Sequence, residues 1–294
     1  MTLRVGLVGA GPWAGTWQAP MLARGPGTTL TAVWARRSEA ATALAEEFDA
    51  VAAASYDELL ERSDAVAFAV PPDVQAELAV RAAAAGRHLL LEKPLAFTLA
   101  KAERLAEAVD AAGVQSLVML RNRFSPAGRR FLADLASGRA YGAQASVVSG
   151  AALPGAFFAT PWRVARGALL DLGPHVLDLL DAALGPVTDI TAVGDPRTWL
   201  ALTTVHEGGA IGQAALSITT PGGSGELGCR VVTDHGEVTF DGAADPEGDA
   251  ETARTIAAAF AGTVSSGEAH PLDVHRGVYL QRLLDRAAVE GTVP

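Results

Sequence analysis

The chain has 294 residues, 49% of them hydrophobic and 19% charged, enough for one large or two ordinary domains with a sizeable core and unlike a disordered segment. Its formal net charge of -10 would be repelled by phosphate backbones and anionic membrane surfaces, so nucleic acid is excluded as the expected partner. One cysteine, Cys229, rules out an internal disulfide and suits a reducing compartment. The opening MTLRVGLVGAG lacks the basic and apolar regions of a signal peptide, and no run approaches the roughly 18 apolar residues of a membrane span. The expectation is a cytoplasmic protein with no membrane partner.

In chain order, LRVGLVG (3–9) reads as a parallel strand buried on both faces: continuous, β-branched and stopped by glycine. Further strands are expected at 30–35, 65–70, 88–92 and 115–120, alternating with helical segments at 38–48, 55–62, 74–86 and 99–113. Gly86 and Gly113 stand where helix C-caps belong. This alternation predicts an N-terminal doubly wound parallel sheet, residues 1–121. From 122 the pattern changes. Helices are expected at 125–137 and 171–184, strands at 142–150, 187–194, 198–206, 210–219, 225–233 and 236–242, and helices at 249–262 and 271–290. Short turns such as HEGGA and DHGE join the strands as antiparallel hairpins. Residues 122–294 are therefore expected to form an α+β domain on a mostly antiparallel open sheet, for substrate binding and oligomerisation.

The first strand runs into VGLVGAGPWAG, which places Gly9, Gly11 and Ala14 in a G-x-G-x-x-G/A pattern with Pro12 and Trp13 inside the turn. Gly9 permits the tight turn, Gly11 lets a pyrophosphate approach the backbone, and Ala14 is small enough for helix–strand contact. Pro12 fits a helix start, and the helix N-terminus would hold the phosphates. An NAD-specific site has an acid at the end of the second strand for the ribose 2′-hydroxyl. Here that position is Ala35, followed by Arg36, Arg37 and Ser38, which suits the 2′-phosphate of NADP(H), with NAD(H) the alternative. Two solvated arginines opening a helix is the plainer reading.

Ligands of such sheets bind outside the carboxyl ends of the strands. Val70, Pro71, Pro72 and Gln75 follow the strand at 65–70, and Glu92, Lys93 and Pro94 follow the one at 88–92. A partly desolvated lysine beside a cofactor has a lowered pKa suited to proton transfer. An isolated Glu–Lys pair would better be read as a strand-end salt bridge. Among the histidines no pair has metal-ligand company, so no metal is expected; His206, His235, His270 and His275 read as surface or helix-end residues, and Cys229 as a small core side chain.

The chain resembles the family of glucose–fructose oxidoreductase, inositol dehydrogenase and rhizopine-catabolism dehydrogenases (Gfo/Idh/MocA). The segments that carry the resemblance are the glycine turn, AVPPDVQAE, EKPLAFTLAKAE, RNRFSPAGRRFLADLASGRAYGA and WR…LLDLGPHVLDLL, in that order over nearly the whole chain. It implies a Rossmann domain and maps the family's EKP lysine to Lys93 and its D-x-x-x-H segment to Asp171 and His175. That spacing is independently sensible, because positions i and i+4 share a helix face, and an imidazole exchanges protons near neutral pH. The resemblance also places Asn122 and Arg123 near a domain junction, and Trp162 and Arg163 on a substrate-side segment. It departs at RVARGALLD, where relatives often carry a glycine pair, and at Gln75, where they often carry histidine.

The expectation is an NADP(H)-preferring oxidoreductase. It would pass a hydride between nicotinamide and a hydroxyl or carbonyl carbon, and the resemblance implies a sugar, cyclitol or similar small polar compound as the substrate. Lys93 and His175 would handle the proton, with Asp171 positioning one of them or the substrate. A homo-oligomer, dimer or tetramer, is implied by the resemblance. The alternative is a catalytically silent NAD(P)-binding sensor of the same fold.

Overall fold

The computed structural model describes residues 2–243 and 248–288. By its internal contacts the chain forms two compact units: the first runs to Met119 and takes in Ala250–Tyr279, and the second holds Leu120–Asp249 and the chain from Leu280.

The first unit is a six-stranded parallel sheet in the order β3-β2-β1-β4-β5-β6. Its strands are β1 (Leu3–Val8), β2 (Thr28–Trp34), β3 (Val51–Ala52), β4 (Ala65–Phe68), β5 (His88–Leu91) and β6 (Ser116–Val118). The order reverses beside β1, with β2 on one side and β4 on the other, and a doubly wound sheet binds its ligand at such a switch point. Val5, Leu7, Val66, Phe68, Leu89 and Leu91 are fully buried, as strands covered on both faces require. The connecting helices are α1 (Ala19–Arg24), α2 (Ser38–Glu47), α3 (Tyr56–Glu61), α4 (Pro72–Ala84) and α5 (Leu99–Ala112). Ser55 and Thr98 cap α3 and α5 through their hydroxyls, and Gly86 and Gly113 close α4 and α5 in the left-handed region. A π turn, Ala14–Gln18, precedes α1. Pro20 lacks the N–H that would bond to the Thr16 carbonyl and its ring crowds that group, which accounts for the wider turn.

The division expected at 121/122 leaves out the return of residues 250–279 to the first unit. The helix concerned, numbered α9 below (Gly248–Ser266), lays Ala257 and Ala261 so close to Gly25 and Gly27 that a Cβ at either glycine would collide with their methyls. Further on, the Val118 N–H donates to the Leu272 carbonyl (2.7 Å) and the Val274 N–H to the Ser116 hydroxyl (3.0 Å), which covers the edge of β6.

The second unit contains α6 (Arg121–Phe124), α7 (Pro126–Leu135), β7 (Ala140–Ser149), α8 (Pro161–Leu184), β8 (Val187–Asp195), β9 (Trp199–His206), β10 (Ile211–Ser217), β11 (Ser224–Thr233) and β12 (Gly236–Asp241). The sheet order is β12-β11-β7-β10-β9-β8, antiparallel except for the β7–β10 pair. One face buries Ala145, Val147, Leu202, Leu216, Cys229 and Val231, while Val193, Trp199, Ile211 and Val232 stand exposed on the other. Burial pushes the Cys229 thiol up to about 12, consistent with a core side chain. The last helix, α10, is Val274–Arg286; the end of the expected 271–290 helix lies outside the described residues.

His206, read from sequence as a surface or helix-end residue, stands in β9 and is 1% exposed. Its Nδ1–H donates to the Gly185 carbonyl (2.6 Å), which leaves Nε2 to accept from the Thr204 hydroxyl (2.9 Å). Those two partners satisfy the ring inside the sheet.

Candidate active site

The glycine turn starts from a strained requirement. Gly9 has φ +115°, and a Cβ there would collide with the Ala69 carbonyl, so only glycine fits. Its N–H donates to the Trp34 carbonyl (2.8 Å), pinning the turn to the end of β2. Gly11 is different: nothing lies within 4 Å of the position its Cβ would take. That open space is the room a pyrophosphate needs to reach the backbone, so the turn fits a dinucleotide. Ala14 is fully buried, and Pro12 is exposed at the helix start.

At the end of β2, Ala35 is half-buried and Arg36, Arg37 and Ser38 are exposed. Among the described residues no carboxylate stands at Ala35, and no acceptor holds the side chain of Arg36 or Arg37. Val70 follows β4 and lies beside Gly9, its Cγ1 3.2 Å from the position a Cβ there would take. Pro71 is exposed, whereas Pro72 is buried at the start of α4.

Past β5, Lys93 is half-buried and its peptide bond to Pro94 is cis. Glu92 Oε1 accepts from the indole N–H of Trp13 (2.5 Å) and from Gln18 Nε2 (2.9 Å). Trp13 also stacks on Trp17, ring centroids 5.6 Å apart. Glu92 is thereby tied to the helix that follows the glycine turn. Gln75, expected among the cofactor contacts, is fully buried, with both ends of its carboxamide engaged by the backbone of Glu92–Leu95. Gln18 was missed in the sequence. A signal was present: it falls between Ala14 and Leu22 at i+4 steps, a polar residue on the buried helix face.

In the second unit, α8 is two helices in one. Gly167 (φ +75°) breaks the helical geometry, and a Cβ there would collide with the Pro196 carbonyl, which accepts from the Ala168 N–H (2.6 Å). Beyond the break, Asp171, His175 and Asp178 follow one another at i, i+4 and i+7 along one helix face. His175 is half-buried, and Asp171 and Asp178 are buried. Each carboxylate meets an arginine: Arg163 Nε donates to Asp171 Oδ2 (3.0 Å), and Arg123 Nη1 to Asp178 Oδ1 (3.2 Å). The Arg163 guanidinium also lies 4.6 Å from the ring centre of Trp162. Asn122 is half-buried in α6, where its carbonyl accepts from the Ser125 hydroxyl (3.1 Å). Among the described residues no group of His, Cys, Asp or Glu could hold a metal, and no helix is long and apolar enough to cross a membrane.

Fold and site together define a dinucleotide-binding protein with a Rossmann unit and a second α/β unit built on an open sheet. Residues 3–120 match the oxidoreductase family with NAD-binding Rossmann fold, and residues 128–239 match the GFO/IDH/MocA C-terminal domain. The chain belongs to the GFO/IDH/MocA family. A dTDP-3,4-didehydro-2,6-dideoxy-alpha-D-glucose 3-reductase of Streptomyces violaceoruber is 36% identical over 197 residues, 62% of this chain and 55% of that protein. A levoglucosan dehydrogenase of Pseudarthrobacter phenanthrenivorans is 30% identical over 172 residues, 55% of this chain and 42% of that protein. The chain thus spans about half the length of these curated relatives. Among solved structures, GenD2 from gentamicin A biosynthesis, in complex with NAD, gives a TM-score of 0.85 at 25% identity over 97% of this chain and 93% of that one. The 3-ketoreductase KijD10 from Actinomadura kijaniata shares the fold, with a TM-score of 0.77 at 24% identity over 98% of this chain and 97% of that one.

Proposed function

We propose that the chain is an NAD(P)-dependent oxidoreductase acting on a hydroxyl or carbonyl carbon of a sugar, cyclitol or similar small polar substrate, with NADP(H) preferred over NAD(H). The observation that carries the reading is the open backbone at Gly11 joined, through Trp13 and Glu92, to the turn that bears Lys93. When bound, the nicotinamide supplies or takes the hydride. Gly9, Gly11, Pro12, Trp13 and Ala14 form the phosphate turn, with Val70 and Pro71 flanking it. Lys93 and His175 give or take the proton at the substrate oxygen. Asp171 has the orienting role, with Arg163 as its ion-pair partner. Asn122, Arg123, Trp162 and Arg163 are assigned to the substrate side.

The NADP preference rests on Ala35, which leaves no carboxylate to repel a 2′-phosphate, and on Arg36, Arg37 and Ser38, which offer it donors. Replacing Arg36 with Ala is expected to weaken NADPH binding roughly tenfold and leave NADH binding unchanged. Equal losses for both cofactors would defeat the assignment. The substrates named for the relatives, a dTDP-linked deoxy keto sugar and levoglucosan, join keto sugars and cyclitols in a steady-state panel with NADPH and NADH. Turnover that disappears in Lys93→Ala supports the reading. Tight cofactor binding with no turnover on the panel would favour a sensor instead. A cytoplasmic location and a dimer or tetramer complete the proposal; the exposed Val193, Trp199, Ile211 and Val232 on one face of the second sheet support self-association, which light scattering checks.

A further inference from the structure

We infer that Gln75 is a positioning residue for Lys93, holding the lysine-bearing turn by its backbone; this rests on the proton-handling role proposed for Lys93. β5 stops at Leu91, where its pairing with β6 ends, so the backbone of Glu92–Leu95 has no ladder partner in the sheet. The Gln75 carboxamide takes that place. Its Oε1 accepts from the Glu92 N–H (2.8 Å) while its Nε2 donates to the Glu92 carbonyl (2.9 Å). This is the reciprocal exchange that two opposed residues make in an antiparallel ladder, here made by a side chain. Nε2 also reaches the Leu95 carbonyl (3.2 Å) and the Pro94 carbonyl (3.4 Å). The amide therefore grips the chain on both sides of Lys93.

The grip is itself anchored. Gln75 is fully buried in the first turn of α4, and its own N–H donates to the Pro71 carbonyl (2.9 Å). Pro71 and Pro72 fix the backbone that leads into that turn. From the other side, Trp13 and Gln18 hold the Glu92 carboxylate. Pro94 is buried directly after the lysine. Lys93 thus leaves a turn fixed by hydrogen bonds to its backbone on one side and to a neighbouring side chain on the other. The carboxamide does not titrate, so the part of the hold that Gln75 makes does not change with pH.

The sequence offers a direct readout, because Lys93 and Lys101 are the only two lysines in the chain. Lys101 is held by Asp73 (2.8 Å) and serves as an internal reference. Gln75→Leu keeps the bulk and removes every hydrogen bond; Gln75→His keeps one donor and one acceptor. The full-length variants are compared by site-resolved acetylation of the two lysines across pH and by kcat and KM. For Gln75→Leu the expected result is a kcat reduced roughly 10–100-fold, with KM within about threefold. Its Lys93 labelling rate is expected to change about threefold or more relative to Lys101. Gln75→His recovers part of both effects. If Gln75→Leu does not fold, the inference is judged on Gln75→His and on hydrogen exchange of the Glu92 amide, which is expected to be slow in the wild type. Wild-type kcat and an unchanged Lys93-to-Lys101 labelling ratio in a folded variant, or a rapidly exchanging Glu92 amide, would overturn the inference. Absence of turnover in the wild type would end the functional reading, while the labelling ratio would still decide the role of Gln75.

Discussion

The turn after β5 and the buried face of α8 carry the candidate proton-handling side chains, and they are held by opposite means. At the turn, the neutral amide of Gln75 binds backbone, and neutral donors of Trp13 and Gln18 bind Glu92. On α8, charge meets charge: Asp171 with Arg163 and Asp178 with Arg123. The first arrangement fixes where the chain runs. The second fixes where side chains point, and it takes ions out of water to do so. Each ion removed from water costs several kcal/mol, so a buried carboxylate depends on its cation. The contrast teaches that the two regions should fail differently when one member is removed.

The largest effect is expected on α8. Arg123→Met removes a cation from a carboxylate whose side chain is 3% exposed. Loss of about 2–3 kcal/mol in urea-unfolding stability is expected, less than for a fully buried pair because the arginine is partly solvated. Replacing both partners, Arg123→Met with Asp178→Leu, should restore most of it, since the charge that lost its Arg123 partner is then gone. A double variant no more stable than the single would show that geometry at Asp178, rather than its charge, matters there.

The turn after β5 should respond more mildly. Gln75→Leu leaves the Glu92 N–H and neighbouring carbonyls without a partner, for an expected loss of about 1–3 kcal/mol. Since no charge is involved, the loss should be the same at pH 6 and pH 8 and at low and high salt. A salt-dependent loss would erase the distinction between the two regions.

Much of this architecture was legible because its physics is local. Strands buried on both faces appear as unbroken apolar runs, so β1, β2, β4, β5 and β6 could be read directly. β3 could not, because two residues, Val51 and Ala52, are too few to show a period. The helix expected at 171–184 lies in the part of α8 beyond Gly167, where the chain turns through a conformation only glycine adopts without strain; the part from Pro161 to that break was not read. A helix was expected at 249–262, but nothing in that stretch says that it belongs on Gly25 and Gly27. The candidate site shows the same limit. Lys93, Asp171 and His175 could be named from motif and spacing. The bonds that hold the Lys93 turn, Trp13 to Glu92 across 79 positions and Gln75 to Glu92 across 17, follow no helical or strand period.

The smallest effect is expected at an ion pair that is neither buried nor near the site, and it sets the lower end of the comparison. Arg4 Nη2 lies 2.6 Å from Asp64 Oδ1, with the two side chains 51% and 34% exposed. The Arg4 side-chain hydrogen bond holds the Asp64 carboxyl below its ordinary value, although partial burial opposes this. A carboxylate with a depressed folded-state pKa contributes stability that is present above its unfolded pKa and is lost as pH falls through its folded value. Asp64→Asn should therefore cost no more than about 1 kcal/mol at neutral pH, discounted for solvent screening, and the cost should shrink with added salt and vanish at strongly acidic pH. Unfolding curves for both proteins from neutral to strongly acidic pH provide the check. A loss as large as that of Arg123→Met, or one that persists in acid, would mean that exposure does not separate these pairs.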